Sequence, residues 1–176
     1  MKGLTPISGD FGQVDQFDVD ASNSTAIYKK GGVIEVADGN VDGWDGTANA
    51  AFIGVAKTIY DTNGVELDYL PATTAGKVDV YTDPEMRYSI ESATGIAKAD
   101  RFGTADLASN GGDTTTGEST AQLSATIAAD DQFRILGIIR TPGNDWATTN
   151  GDTENTQVEV VASLHALNST PNGLTS

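Results

Sequence analysis

Apolar residues in this chain recur at every second position or in short β-branched runs, and no stretch keeps the three-four spacing of an amphipathic helix beyond two turns. The clearest case is the segment 157–166, where apolar positions alternate with Gln157, Glu159 and Ser163. Such alternation is typical of a strand with one face in a core and the other in water. The pattern predicts an all-β protein, either an antiparallel β-barrel or a β-sandwich, with long loops.

Two apolar segments, 51–56 and 133–139, lack clean alternation. Strands that pack on both faces have this character, so both segments are predicted to be central. The segments 77–82 and 86–91 flank an Asp-Pro-Glu turn at 83–85. Because Asp accepts hydrogen bonds from turn backbone and Pro presets the second turn position, this arrangement predicts a hairpin.

One internal similarity bears on the architecture. The segment 52–58 (FIGVAKT) resembles 135–141 (ILGIIRT). Two explanations stay open: the domain contains two related β units, or two buried strands are alike because both favour β-branched residues.

The chain divides by composition into three parts. Residues 1–24 and 168–176 have too few apolar residues to pack unaided, and we expect an N-terminal arm and a C-terminal tail. Residues 25–167 form the predicted β domain. It includes an extended loop region at about 93–131, rich in Gly, Ser and Thr. Because long structureless loops are uncommon, short strands are expected around 120–127.

Charge and cysteine content exclude several classes of function. The 176 residues include 25 Asp and Glu against 10 Lys and Arg, a formal net charge of −15, and no Cys. Disulfides, thiolate metal sites and Cys nucleophiles are therefore excluded. An acidic surface repels phosphate backbones, so we expect no nucleic-acid partner. No apolar run approaches the ~20 residues of a membrane-spanning helix. Residues 1–20 lack a signal peptide's apolar core, so we expect synthesis in the cytoplasm and no membrane partner.

The residues needed for catalysis are scarce. The single His, His165, is interpreted as an ordinary surface or strand-end residue, and it has no Cys to pair with. Motifs of the Gly-x-Ser-x-Gly kind and phosphate-binding glycine loops are absent from the sequence. The sequence therefore predicts that the protein is not an enzyme.

One Asp-rich segment is a candidate calcium site. Asp38, Asn40 and Asp42, followed by Gly43, match the first half of an EF-hand loop. The twelfth position is Asn49, where the loop would need a bidentate Glu. A β-turn rich in Asp, Asn and Gly has the same composition, so calcium and an ordinary turn both stay open. No other cofactor is predicted.

Four aromatic residues are candidates for protein contacts. Trp44 and Trp146 lie in polar loops, and Phe11 and Phe17 lie in the predicted arm. Aromatic side chains are frequent anchors of interfaces. The two tryptophans have an equally good alternative, in which they fold back and cap the ends of the β structure.

The order of several motifs resembles a known family. The motifs are 26–34 (AIYKKGGVI), an Asp-Gly loop, 53–56 (IGVA), 75–81 (AGKVDVY), Asp-Pro at 83–84, 103–107 (GTADL), 119–123 (STAQL), 132–137 (QFRILG) and the closing strand through His165. This order resembles the head decoration, or capsid cement, proteins of tailed bacteriophages, especially marine and cyanobacterial phages. The resemblance covers most of residues 25–167 and carries no functional residue across.

The resemblance implies a structural virion protein that binds the outer surface of an assembled phage capsid and stabilises it. Its expected partner is the major capsid protein, with self-association as a trimer and a location on the capsid exterior after synthesis in the host cytoplasm. The predicted arm could extend a neighbour's sheet by strand addition. The alternative is a tail, head-fibre or adhesin module that binds a host surface glycan, which loop aromatics clustered on one tip would favour.

Overall fold

A computed structural model describes residues 3–37, 39–46, 51–128, 131–149 and 155–167. Within these ranges the regular structure is β, with no α-helix and one 3₁₀ turn at Lys98–Asp100. The all-β prediction is confirmed. Nothing in the described part of the chain is a helix long and apolar enough to cross a membrane.

Seventeen strands occur in the described residues. In chain order they are β1 (Thr5–Ser8), β2 (Val14–Val19), β3 (Ile27–Tyr28), β4 (Val33–Ala37), β5 (Asn40–Gly43), β6 (Phe52–Tyr60), β7 (Glu66–Leu67), β8 (Tyr69–Leu70), β9 (Gly76–Tyr81), β10 (Arg87–Glu91), β11 (Thr104–Ala105), β12 (Leu107–Ser109), β13 (Gly112–Asp113), β14 (Glu118–Ser119), β15 (Gln122–Leu123), β16 (Phe133–Ile138) and β17 (Gln157–Ala162).

Two antiparallel sheets organise these strands. Sheet I has the order β1-β10-β17-β16-β11. Sheet II has the order β2-β9-β6-β4-β5, with β7 paired to the far end of β6. Three two-stranded ribbons, β3-β8, β12-β15 and β13-β14, complete the fold. The predicted strand at 157–166 is confirmed as β17, whose buried and more exposed residues alternate.

Sheet II curls so that its end strands β2 and β5 approach each other. The Asp42 carboxylate on β5 ties the chain that follows β2, because it accepts hydrogen bonds from the backbone N–H of Ser24 at 2.8 Å and from its hydroxyl at 3.3 Å. The curled sheet encloses one of two apolar cores. Its members are Val19, Ile27, Ile34, Val41, Ile53, Ala56, Ile59, Leu70, Val78 and Val80.

The second and larger core lies between sheet II and sheet I, and strand β6 contributes to both cores. Phe52 and Val55 belong to the core between the sheets, whereas Ile53 and Ala56 belong to the curled sheet. A β-bulge makes this possible, since Phe52 and Gly54 pair with adjacent residues of β4. A Cβ on Gly54 would lie 2.0 Å from a backbone oxygen, so only glycine fits there. The prediction that 51–56 is buried on both faces is confirmed.

The corresponding prediction for 133–139 is wrong in part. β16 lies inside sheet I, between β17 and β11, but it buries only one face. Phe133 and Ile135 are in the core, while Arg134 is exposed and Ile138 is half-buried. The reason is that sheet I packs on sheet II from one side only. β6 and β16 lie in different sheets, and a relation between two β units stays a prediction.

The predicted hairpin around 83–85 is wrong, although its turn forms. The backbone N–H of Met86 donates to the Asp83 carbonyl at 3.1 Å, and that of Glu85 donates to the Asp83 carboxylate at 2.9 Å. The two flanking strands enter different sheets, however: β9 pairs with β2 and β6, and β10 with β1 and β17. Turn chemistry is local, whereas the choice of strand partner is made by distant residues.

The predicted N-terminal arm is also wrong for this part of the chain. Residues 5–19 supply β1 to sheet I and β2 to sheet II, and Leu4 is fully buried. This segment runs antiparallel to 76–91, so the two cross between the sheets side by side and in opposite directions. Ladder hydrogen bonds hold the segment, which is why its low apolar content misled the prediction. The predicted tail at 168–176 lies outside the described residues.

The region 93–131 is less of a loop than its composition suggests. It carries the short strands β11 to β15, and β15 lies inside the expected 120–127. Ile96, Leu107 and Leu123 from this region are buried in the core between the sheets. The β domain therefore uses this region as part of its packing.

We name the crossing of the two segments the corner, and it supports a first prediction. The Asp83 carboxylate, 9% exposed, also accepts the backbone N–H of Asp10 at 2.6 Å. Asp83→Ala leaves two part-buried N–H groups, those of Asp10 and Glu85, without their protein acceptor. A buried unpaired donor costs about 1–3 kcal/mol, and a part-buried one lies at the lower end of that range. We expect the free energy of unfolding, measured in urea, to fall by about 2 kcal/mol.

Asp61→Ala is the matched control for this variant. The Asp61 carboxylate accepts the N–H groups of Asn63 and Val65, both at 2.8 Å, in a hairpin turn whose residues 62–65 are exposed. Because water replaces the carboxylate there, we expect a loss below about 1 kcal/mol. Equal losses in the two variants would contradict a special role for the corner.

Candidate binding surface

A cleft of about 310 Å³ opens beside the edge strand β1. It is lined by Thr5, Pro6, Lys29, Lys30, Gly31, Val55, Ala56, Lys57, Tyr81 and Glu118. We name it the lysine cleft, since three of the ten cationic residues of an acidic chain surround it. Its volume is at the lower end of the ~300–1,000 Å³ that ligand sites occupy.

Local backbone structure explains where the three lysines point. Lys29 and Lys30 follow β3 in a tight turn, in which Gly31 has φ +79°. Lys57 is the extra residue of a second β-bulge, since Ala56 and Thr58 pair with adjacent residues of β9. A bulge turns a side chain out of the regular alternation of a strand. Lys57 is therefore exposed on a strand that is otherwise largely buried.

The three ammonium groups differ in how they are paired. Lys29 forms an ion pair with Glu66, and that hydrogen bond raises the pKa of Lys29. Lys30 Nζ lies 4.0 Å from the Glu118 carboxylate. Lys57 Nζ lies 5.6 Å from the centre of the Tyr81 ring, and it has no carboxylate partner among the described residues. Of the three lysines in the cleft, Lys57 is thus the one most available to a ligand.

Two exposed apolar residues belong to the same segment as Thr5 and Pro6, which line the cleft. Ile7 of β1 is 42% exposed, and Phe11, in the turn after β1, is 46% exposed. The Phe11 ring stands edge-on to Tyr81, with ring centres 5.9 Å apart. Tyr81 therefore contacts Phe11 and also lines the cleft. We call Ile7, Phe11 and the lysine cleft together the β1 face.

The four aromatic candidates have different environments. Phe11 is exposed, as an interface residue must be. Phe17 is half-buried against the curled core, and Trp146 is half-buried against the core between the sheets. Trp44 is only 4% exposed, so its prediction as an interface anchor is wrong and the capping alternative holds. Its carbonyl accepts a hydrogen bond from the Asn110 side chain at 2.7 Å, which fixes the loop over the core.

The calcium candidates fall partly outside the described residues. Asp38 lies outside them, and Asn40 and Asp42 lie on strand β5. Both Asp42 oxygens already accept backbone N–H groups, from Gly43 at 2.7 Å and from Ser24 at 2.8 Å. No group of three or more His, Cys, Asp or Glu in the described ranges is placed to hold a metal ion. Calcium binding stays a prediction.

Glu35 is a buried carboxyl group that sequence reasoning did not single out. It is 7% exposed, it pairs across the strands with Asp42, and its Oε2 atom has no hydrogen-bond partner. Burial, followed by the charges of Asp45 and Asp42, raises its pKa to about 7. No local sequence signal marks this residue, because its burial results from the pairing of β4 with β5 and β6.

His165 lies just beyond the end of β17 and is interior, which corrects its interpretation as a surface residue. It is 6% exposed, and its ring stands edge-on to Phe52, with ring centres 5.7 Å apart. Its Nδ1 accepts the backbone N–H of Leu167 at 3.1 Å, and burial lowers its pKa to about 4. The imidazole is therefore neutral at physiological pH, and its burial keeps it out of contact with a ligand in solution.

Phe102 is exposed, as Phe11 is, but sequence reasoning did not single it out. It is 62% exposed, it has φ +73°, and Arg101 lies over its ring at 4.6 Å. Bulky residues rarely adopt positive φ. Its backbone N–H donates to the Ile135 carbonyl beside β11, the edge of sheet I opposite to β1. The adjacent Gly103 was the residue on which a positive φ would have been expected.

Comparison with known proteins yields no match: no family model, no curated protein and no solved structure is similar to this chain.

The buried Glu35 carboxyl predicts a pH dependence of stability. Because its pKa rises from 4.5 to about 7 on folding, its contribution is complete below pH 4.5 and is lost as pH rises through 7. Glu35→Gln cannot ionise, so we expect it to exceed the native chain in unfolding free energy by about 1–3 kcal/mol near pH 8.5. Urea unfolding at both ends of this range measures the effect. Near pH 5 the difference should shrink, and the exposed Glu85→Gln should show no such trend.

The backbone strain at Phe102 gives a further prediction. Asn tolerates the left-handed conformation, which costs other side chains about 1–2 kcal/mol. We therefore expect Phe102→Asn to raise the free energy of unfolding by about 1 kcal/mol, measured by thermal melting. Phe102→Ala removes the same ring but keeps the strain, so it should not stabilise. A gain in both variants would assign the effect to the ring rather than to the backbone.

Proposed function

We propose that this protein is a structural virion protein that binds the outer surface of an assembled tailed-phage capsid and stabilises it, with the major capsid protein as its partner. The order of strand and turn motifs along residues 25–167 supports the family assignment. The all-β fold agrees with it. In the assembled particle, trimers of this protein would occupy local three-fold positions of the lattice.

The observation that carries a docking role is the β1 face. Interfaces are built around apolar and aromatic anchors that polar residues surround. Ile7 and Phe11 are exposed within one short segment of the chain, and Phe11 contacts Tyr81 at the lysine cleft, whereas Val65, Phe102 and Leu167, the other exposed large apolar residues of the described ranges, lie elsewhere in the chain. A stable contact needs about 1,200 Å² or more of buried area, and repetition over a lattice adds avidity.

The burial of the single histidine also agrees with a binding role. The only imidazole, His165, is enclosed by the core and is neutral. The alternative function, a glycan-binding tail, fibre or adhesin module, would be favoured by aromatic residues clustered on one tip. Trp44 is buried and Trp146 is half-buried. Phe11 and Phe102 adjoin opposite edges of sheet I. Nothing among the described residues favours this alternative.

Binding to expanded, empty capsids tests the proposal. We expect the purified protein to cosediment with capsids and to raise their temperature of disruption. Phe11→Ser and Ile7→Ser should each weaken binding by about tenfold, since an anchor contributes more than 1 kcal/mol and 1.4 kcal/mol is tenfold.

Phe102→Asn is the matched control, because it removes an exposed aromatic ring from the opposite edge of sheet I. It should bind capsids as the native chain does. Loss of binding in Phe102→Asn with retention in Phe11→Ser would move the docking face to the other edge. Absence of any capsid binding by the native chain, together with binding to a glycan array, would replace the proposal by its alternative.

A further inference from the structure

We propose that the lysine cleft binds a short acidic segment of the protein partner, with Lys57 as the residue that contacts its carboxylates. This inference rests on the proposed function, since it names the chemistry by which the partner is recognised. It starts from an imbalance of charge. The chain carries a formal net charge of −15, yet three lysines meet at one cleft.

The geometry of Lys57 is the first support. A β-bulge is a built feature that re-aims one side chain, and here it places an ammonium group at the cleft instead of in the alternation of β6. The Tyr81 ring lies under the ammonium group at 5.6 Å and orients it. Neither feature supplies a counter-charge. A carboxylate from outside would supply one.

The other two lysines add to the site without being neutralised strongly. Lys30 is 4.0 Å from Glu118, with both side chains substantially exposed, and Lys29 pairs with a Glu66 side chain that is 53% exposed. Exposed ion pairs of this kind contribute about 0–1 kcal/mol, so an arriving carboxylate can exchange with them. Pro6 and Tyr81, which are half-buried at the cleft, provide apolar contacts for the methylene groups of an acidic side chain.

The edge of β1 argues for side-chain recognition instead of strand addition. Pro6 lies within β1, and it has no backbone N–H to donate to an added strand. The strand-addition role expected for residues 1–24 is disfavoured for the same reason. The lysine side chains are therefore the groups by which we propose that a partner segment is recognised at this edge.

The acidic surroundings select the class of ligand. A long polyanion such as nucleic acid would have to cross a surface with many more acidic than basic groups. A short acidic segment places its charge only on the cleft. Charge complementarity at one position on a repulsive surface also fixes the register of docking.

A labelled hexaglutamate peptide is the first probe. We expect the native chain to bind it in fluorescence anisotropy at low salt, and added salt to weaken binding. Lys57→Gln should weaken binding by about fivefold, the equivalent of about 1 kcal/mol, and Lys57→Arg should restore most of it. Lys98→Gln removes the same charge from the exposed 3₁₀ turn and should leave binding unchanged.

Three results would overturn the inference: no binding of hexaglutamate at low salt, equal weakening by Lys57→Gln and Lys98→Gln, or inorganic phosphate competing as well as the peptide. Equal weakening would indicate non-specific attraction, and competition by phosphate would indicate a simple anion site. Melting curves of each variant ensure that a loss of binding is not a loss of fold.

Capsid binding separates this inference from the proposed function. If the native chain binds expanded capsids and Lys57→Gln binds them equally well, the cleft inference fails while the proposed function stands. If the native chain binds no capsid but binds hexaglutamate through Lys57, the proposed function fails while the cleft's preference for acidic segments stands. If Lys57→Gln weakens both, both are supported.

Discussion

The Asp83 carboxylate holds the chain at the point where two segments cross from one sheet to the other, and much of the fold depends on that crossing. Asp83 accepts N–H groups from its own turn and from Asp10. The hydroxyl of Thr82 donates to the Asp15 carboxylate at 2.6 Å. The N-terminal segment is therefore bound to residues 82–83 at two points, Asp10 and Asp15. The corner thereby sets how sheets I and II face each other. It also sets the β1 face, since Tyr81 lies before the corner and Pro6 lies on the strand paired with β10 beyond it.

Strand identity could be predicted from the sequence, but strand partners could not. The alternation of β17 is a property of six neighbouring residues, and the turn at Asp83 follows from its own side chain and Pro84. That β9 and β10 separate into different sheets depends on pairing with β2 and β1, whose residues are about 60 to 80 positions away. The N-terminal segment was misjudged for the same reason: its stability comes from partners that no local window contains.

The candidate site shows the same limit. Lys29 and Lys57 are far apart in sequence, and their convergence with Tyr81 follows from a bulge and a turn. Polar neighbours suggested an exposed loop for Trp44, although the side chain is buried. Polar neighbours in sequence indicate that the backbone is near solvent, but they do not determine whether the side chain points toward the solvent or the core. Phe102 is the opposite case: it is an aromatic residue in a turn, and its side chain is exposed.

Strand β6 has a consequence for how the molecule comes apart. Because its residues 52–56 belong to both apolar cores, neither core can open while the other stays intact. A protein whose two cores share one wall behaves as a single cooperative unit, and partial unfolding is confined to its edges. The slowest amide exchange in the chain would then be found on β6.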